Sequence, residues 1–270
     1  MKKKVLLLIS FILVILITLN SCKESNEPKD EPPSIPPSSA SFVIGFDDFN
    51  QVALAKTALP AEKTNWLRAV SILAPWKYIV KVTMAVPVAS FVAAMHQKPQ
   101  QQEDGNWLWA YSFGQKFSAE LCAEITDDMI NWDMYISIQD LYSDFHWFSG
   151  QSQLDGSAGR WILNSDPNNT QAFLQIDWTF NKTDSTGSIR YTALNAGDNS
   201  GSYIEYRRTN DTPYNRYFTL LDLPENYQID IQWDYTTKAG RIADSLFYED
   251  SNWHCWDASR EDIVCTGIGK

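Results

Sequence analysis

The segment "NYQIDIQWDY", residues 226–235, carries the pattern that decides the fold. Large apolar or aromatic side chains occupy every second position, and polar ones lie between them. The first set is Tyr227, Ile229, Ile231, Trp233 and Tyr235, and the second is Gln228, Asp230, Gln232 and Asp234. Because successive side chains of a strand point to opposite faces, this alternation predicts a β-strand with one buried face. A strand with one wet face is typical of antiparallel sheets.

The same alternation recurs earlier in the chain, in "NWLWAYSF" (106–113), "NWDMYISIQ" (131–139) and "AFLQIDWTF" (172–180). Turn-forming segments such as "LDGSAG", "KTDSTG" and "DLPEN" separate the strands, and no long helical pattern intervenes. Parallel pairing is excluded because its crossovers need a dozen or more residues. We expect a mainly β (α+β) fold: a large antiparallel β-meander of about nine to eleven strands, curved by its own twist.

The region near 61–97 differs from the strands. "PAEKTNWLRAVSIL" places Trp66, Val70 and Leu73 at helical spacing, and the run from Val82 to Met95 is almost entirely apolar. We expect one or two N-terminal helices packed on the concave face, with a kink at Pro87. The apolar run is shorter than the roughly 20 residues that span a bilayer, so it is interpreted as a core helix. A second membrane contact is the alternative.

A segment that is apolar on nearly every side is stable in water only when it is surrounded. We therefore expect four helix residues to contact four inward-facing strand residues. The helix set is Met84, Val88, Phe91 and Val92, and the strand set is Trp109, Ile136, Trp178 and Ile231. Any ligand groove would be the part of the concave face that the helix leaves uncovered.

The N-terminus has the features of an export signal. Three lysines precede an apolar run, Val5 to Leu19, which ends in Leu19-Asn20-Ser21-Cys22. This end resembles the bacterial lipobox, which implies cleavage after residue 21 and lipidation of Cys22. The expected signal peptide is therefore 1–21. An uncleaved anchor with an incidental cysteine is the alternative.

Residues 22–41 are rich in Ser, Pro, Glu and Lys, so they predict a disordered tether. The remainder, 42–270, is expected to form a single β-rich domain. Acidic residues just after the cysteine resemble those of Bacteroidota lipoproteins exported to the cell surface. The resemblance implies a lipid-anchored protein at the outer membrane or cell surface of a Gram-negative bacterium.

Stretches of the body carry a second resemblance. "MAVPVASF", "DGNWLWAYSF", "FLQIDW" and "DSNWHCWD" resemble a family of Bacteroidota lipoproteins that has no known activity. The predicted architecture is also similar, at the level of fold, to the curved sheets of lipoprotein carriers such as the Lol system. Likeness of fold does not establish function.

Charge and composition limit the partners. The formal charge is −11, and removal of the signal takes away three lysines and no acid, which gives −14. Such an acidic body argues against nucleic acid as a partner. The chain has 11 Trp, 12 Tyr and 13 Phe, which suits a thick core or an aromatic-lined cavity. The expected partners are the membrane, through the lipid, and an apolar or carbohydrate ligand.

The four cysteines predict one disulfide and no metal site. Outside the cytoplasm, the close pair Cys255 and Cys265 is expected to be bonded, although two buried thiols are the alternative. Alternation in "AELCAEIT" points Cys122 away from the core, so we expect it to be free. We expect no cofactor.

Two clusters were considered as binding sites. Trp253, His254, Trp256 and Asp257 form a candidate ligand patch, with a stapled terminal strand as the alternative. Five arginines could form a basic strip on neighbouring strands, or could pair with acids such as Glu205 and Asp211. These arginines are Arg190, Arg207, Arg208, Arg216 and Arg241.

No HExxH, GxSxG, CxxC or phosphate-loop motif is present, so the catalytic residues are unknown. The favoured hypothesis is a non-enzymatic, membrane-anchored module that binds a ligand or partner at the cell envelope. The alternative is a carboxylate-dependent hydrolase of the glycoside type. Its candidate acids are Asp47, Asp48, Glu120 and Glu124.

Overall fold

The computed structural model describes residues 64–265 together with residue 32. The predicted signal peptide (1–21), Cys22, Asp47 and Asp48 lie outside these residues, as does the tether 22–41 apart from residue 32. The predictions made for them are therefore not addressed by the fold.

The described chain forms one open antiparallel sheet of 14 strands in which each strand pairs with its neighbours in sequence. The antiparallel meander is confirmed, but the predicted number of strands was too low. Strands such as β1 and β14 have only two residues, too few for alternation to be recognised. The strands are β1 Gln100–Gln101, β2 Trp107–Phe113, β3 Phe117–Ile125, β4 Met129–Ile138, β5 Tyr142–Gln153, β6 Ala158–Asp166, β7 Asn169–Asn181, β8 Thr186–Ala193, β9 Tyr203–Arg208, β10 Arg216–Asp222, β11 Tyr227–Trp233, β12 Gly240–Asp244, β13 His254–Trp256 and β14 Asp262–Ile263.

The inner face of the sheet is built from cross-strand rows of large side chains. One row runs Trp132, Gly150, Trp161, Ile176, Tyr191, Ile204, Leu220 and Ile229. The glycine in this row makes room for an indole, since a Cβ at Gly150 would lie 2.2 Å from Cε3 of Trp161. Both Trp132 and Trp161 are fully buried. The row spans eight strands, so the inner face is wider than one helix can cover.

A single helix, α1 (Thr64–Met95), covers this face and continues through Pro75 and Pro87. Among the described residues, the expectation of one or two N-terminal helices resolves to one. Its 32 residues extend about 48 Å at 1.5 Å per residue. It packs most closely on β12–β14 and on β2 and β3, so it crosses the sheet from its last strands to its first. A short second helix, α2 (Ser245–Tyr248), follows β12.

The first residues of α1 are held by Asp262 of β14, the last strand of the sheet. The carboxylate of Asp262 accepts hydrogen bonds from the backbone N–H groups of Thr64 and Asn65, each at 3.0 Å. It thereby satisfies donors that a helix N-terminus leaves without an intrahelical partner. The buried Asn65 side chain donates to the Cys255 carbonyl at 2.8 Å and accepts from the Tyr248 hydroxyl at 3.0 Å.

One turn further along, a buried carboxylate ties α1 to the sheet. The Asp244 side chain is fully buried and pairs with the Arg68 guanidinium at 2.7 Å. It also accepts from the Tyr227 hydroxyl and, at 3.1 Å, from the backbone N–H of Phe247. Burial, and then the negative charge of Asp244, raise the pKa of Tyr227 to about 12, so the phenol stays protonated and keeps donating.

The buried side of α1 belongs to the main core, as predicted. Met84 and Phe91 are almost completely buried, while Val88 and Val92 are half-buried against the same cluster. That cluster includes the four predicted strand residues, Trp109, Ile136, Trp178 and Ile231. Phe91 packs edge-on against Trp161, with ring centroids 6.0 Å apart, a contact that we had not predicted.

The opposite side of α1 contradicts the expectation of a fully surrounded segment. Tyr78, Ile79, Val82 and Val86 are exposed, with 69% of Tyr78 and 55% of Val82 accessible to solvent. The apolar run, Val82 to Met95, is also only the second half of α1, which has 32 residues. By length and composition alone, α1 could cross a membrane. The length argument against a membrane contact therefore does not hold.

The terminal disulfide between Cys255 and Cys265 is confirmed, with a Cα–Cα separation of 5.3 Å. It closes the loop that follows β13. The prediction that Cys122 is a free thiol is wrong, because Cys122 is disulfide-bonded and nearly buried. Alternation correctly placed it beside Glu120 and Glu124, but a position on the outer face did not leave it exposed.

Candidate functional site: an apolar groove between helix and sheet

The middle of α1 leaves a groove of about 550 Å³ between the helix and strands β7–β10. We call this space the groove. Its helix wall consists of Trp76, Ile79, Val80, Thr83 and Met84. Its sheet wall consists of Phe173 and Leu174 on β7, Tyr191 and Ala193 on β8, Tyr203 and Ile204 on β9, and Leu220, Leu221 and Asp222 on β10. Residues 194–196, Asn199 and Ser202 of the β8–β9 connection form the rim.

The groove follows from the diagonal path of α1. The helix is held at one end by β12–β14 and at the other by β2 and β3, so its middle stands off the strands between them. Tyr191 and Ile204 are buried and form the floor. They are cross-strand neighbours in the inner row, with Leu220 next to Ile204. The groove is thus the part of the inner face that the helix does not fill.

The charge of the groove is unusual. Among the residues that the structure describes, its lining contains no lysine, arginine or histidine and one acid, Asp222. Phe218, Leu220 and Asp222 alternate along β10, so the carboxylate points to the same inner face as the two apolar side chains. Oδ1 of Asp222 is buried and has no hydrogen-bond partner in the described structure. A buried polar atom without a partner is costly and uncommon.

A second hollow, of about 600 Å³, lies at the β2–β3 and β4–β5 turns. Gly114, Gln115, Asp140 and Leu141 line it, and all four are exposed. It is an open gap between hairpin turns, and its apolar wall is smaller than that of the groove. It has neither the enclosure nor the chemistry expected of a ligand pocket.

The candidate ligand patch near the C-terminus is engaged within the protein. Trp256 is buried and its Nε1 donates to the Lys238 carbonyl at 2.7 Å. His254 stacks on Tyr248 with ring centroids 3.6 Å apart, and its Nε2 lies 3.1 Å from Oδ1 of Asp250.

The two remaining members of this patch also have internal partners. The Arg241 guanidinium stacks 4.1 Å from the Trp253 ring. Asp257 accepts the backbone N–H groups of Ser259 and Glu261. All four side chains thus support the stapled terminus, and a ligand there stays a prediction.

The five arginines occupy neighbouring strands, but each has a partner. Arg190 donates to Glu205 at 3.0 Å, which is the expected cross-strand pair. Asp211 instead accepts from the Tyr217 hydroxyl at 3.1 Å. Three further arginines stack over aromatic rings, namely Arg207 on Tyr217, Arg216 on Tyr235, and Arg241 on Tyr214 and Trp253. Arg208 donates to the Ser185 carbonyl.

The two candidate acids on β3 have different neighbours. Burial, and then the charge of Asp144, raise the pKa of Glu120. Glu124 accepts from the Asn131 amide at 3.2 Å. The backbones of these two residues are about 13 Å apart along β3, and neither residue lines the groove. Within residues 64–265, no group of three His, Cys, Asp or Glu side chains could hold a metal ion.

Sequence reasoning missed Asp222. The signal was present in "FTLLD", where continuing the alternation of Phe218 and Leu220 places an acid on the inner face. Strand ends often carry acids in turns, so the pattern alone did not separate an inward carboxylate from a turn residue.

Comparisons of the chain with known protein families, with curated proteins and with solved structures found no match.

Proposed function

We propose that the protein is a non-enzymatic binding module, anchored at the cell envelope through Cys22, that holds an apolar ligand in the groove. The observation that carries the proposal is an apolar space of about 550 Å³ between α1 and the sheet. Ligand pockets occupy about 300–1,000 Å³ and have mainly apolar walls with few polar groups.

The chemistry of the walls favours an aliphatic ligand over a carbohydrate. Sugars need several polar partners, whereas Val80, Met84, Leu174 and Leu220 present only hydrocarbon or thioether. The exposed apolar side of α1 adjoins the groove at Ile79. Exposed apolar surface beside a cleft is a feature of apolar binding sites. The hydrolase hypothesis has no comparable support among the described residues, because neither Glu120 nor Glu124 lines the groove.

Filling the groove should abolish ligand binding. Ala193→Trp places an indole on the groove wall, so a neutral apolar dye such as N-phenyl-1-naphthylamine should bind at least about tenfold more weakly, a loss of about 1.4 kcal/mol. Dye fluorescence titrated against purified protein measures the dissociation constant.

Ala110→Trp is the matched control, because Ala110 is exposed on β2 and does not line the groove. This variant should bind the dye as the wild type does. Absence of saturable binding to the wild type, or equal binding by both variants, would remove the basis for the proposal.

Cys22→Ala should move the protein from the membrane fraction to the soluble fraction, because the acyl chains would be lost. The measurement is immunoblotting of fractionated cells, with Ser25→Ala as the control that stays with membranes. Lipidation consumes the Cys22 thiol and, with Cys255 bonded to Cys265, would leave Cys122 without a cysteine partner in this chain, so the lipid anchor and the disulfide of Cys122 exclude each other. The intact mass of the wild type separates the two, because acyl chains on the protein support the anchor and their absence supports the disulfide. A Cys22→Ala protein that still pellets with membranes would contradict lipid anchoring.

A further inference from the structure

We infer that the ligand of the groove is a single-chain amphiphile with a cationic amine head, which Asp222 binds. This inference rests on the proposed function and specifies its ligand class. It combines the unpartnered carboxylate oxygen, the absence of cations from the lining, and the aliphatic walls.

The first step concerns the oxygen of Asp222. An ionised carboxylate only accepts hydrogen bonds, so its buried Oδ1 can be satisfied only by a donor. None of the described residues supplies one. Asp222 lines the groove and is only half-buried, so a ligand N–H or O–H group can approach its carboxylate from the groove, and it reaches Oδ1 once the carboxylate turns about its Cβ–Cγ bond.

The second step concerns charge. An anionic head would meet one carboxylate and no cation in the lining. Arg190 stacks 4.2 Å from the ring of Tyr203, a residue of the wall, but its guanidinium is paired with Glu205. A fatty acid is therefore disfavoured, whereas an ammonium group gains a charge-assisted hydrogen bond to Asp222.

The third step concerns the tail. Beyond Asp222, the sheet wall continues through Leu220, Ile204 and Leu174, and the helix wall faces it with Val80 and Met84. These side chains offer hydrocarbon contact and no pattern of polar groups that would recognise a ring of hydroxyls. A saturated chain gains burial along its whole length in such a space.

The test compares three ligands with the same twelve-carbon chain: dodecylamine, dodecanol and dodecanoate. Each displaces the neutral dye from the wild-type protein at neutral pH, below the critical micelle concentration. The expected order of affinity is amine, then alcohol, then carboxylate, with at least about tenfold between amine and carboxylate, which is the factor for 1.4 kcal/mol. Asp222→Asn should weaken the amine about tenfold or more and change the alcohol little.

Asp198→Asn is the matched control for net charge. Asp198 lies in the exposed Gly197–Asn199 turn beside the groove but is not part of the lining. The Asp198→Asn variant should bind dodecylamine, dodecanol and dodecanoate with unchanged affinities. Asp222→Leu is a second variant that removes the polar group, and it should likewise lose the preference for the amine.

The outcomes separate the two proposals. If dodecanoate binds as tightly as dodecylamine, or if both Asp222 variants keep the preference for the amine, the inferred head group is wrong and the apolar groove stands. If none of the three ligands displaces the dye or binds, the proposed function fails, and this inference fails with it.

Discussion

Phe91→Ala is expected to lower the free energy of unfolding by about 3–5 kcal/mol, the usual cost of removing a buried phenyl ring. Phe91 is 2% exposed and packs edge-on against Trp161, itself fully buried in the centre of the sheet. The cavity would open between α1 and the inner row, where no neighbouring side chain is free to fill it. Urea denaturation followed by tryptophan fluorescence measures the loss.

Val82→Ala is the control for this substitution, because it truncates an apolar residue of the same helix that is 55% exposed. It should change stability by less than about 0.5 kcal/mol. An unchanged unfolding midpoint for Phe91→Ala would mean that α1 is not part of the core. The groove would then lose its helix wall.

Asp244→Ala is expected to cost about 2–4 kcal/mol, because it removes a fully buried carboxylate from a partly buried ion pair and leaves its hydrogen-bond donors without an acceptor. The Arg68 guanidinium, the Tyr227 hydroxyl and the backbone N–H of Phe247 would all lose their acceptor. Since Asp244 links the first turns of α1 to β11 and β12, the start of the helix should loosen. Hydrogen exchange of the amides in residues 66–73 measures this locally.

Asp177→Ala provides the comparison, because Asp177 also accepts from an arginine, Arg160, at 2.6 Å. That pair is largely exposed, so its loss should cost less than about 1 kcal/mol. Similar losses for the two variants would show that burial does not strengthen the Asp244 pair. The assignment of Asp244 as the main tie between helix and sheet would then be wrong.

The long strands could be predicted because each has one solvent-facing side, so polar and apolar side chains alternate along its sequence. The short pairs at Gln100–Gln101 and Asp262–Ile263 could not be predicted, since they are defined by their partners and contain too few residues to show a pattern. The start of α1 could not be predicted for the same reason, because Asp262, which binds its first N–H groups, lies far from it in the sequence. Its two hydrogen bonds to α1 join residues almost 200 positions apart.

The exposed side of α1 and the position of the groove along it were beyond sequence reasoning for a related reason, although the sequence did lead us to expect any groove on the part of the inner face that the helix leaves uncovered. A helix that is apolar all round has no stripe that marks its buried face, so Phe91 and Val82 look equivalent in sequence. Their difference arises from the path of α1 across the sheet, which is set by Asp244 and Asp262 at one end and by β2 and β3 at the other. The same path opens the groove.

The most direct test of the account is to locate a bound chain by photocrosslinking. A dodecanol analogue with a diazirine at the chain end would be irradiated with the purified protein, and the labelled residues mapped by mass spectrometry. We predict saturable labelling of groove residues such as Met84, Leu174 and Tyr191, suppressed by excess dodecanol and by Ala193→Trp. Labelling confined to the exposed side of α1, at Tyr78 and Val82, or labelling that excess dodecanol does not suppress, would contradict it.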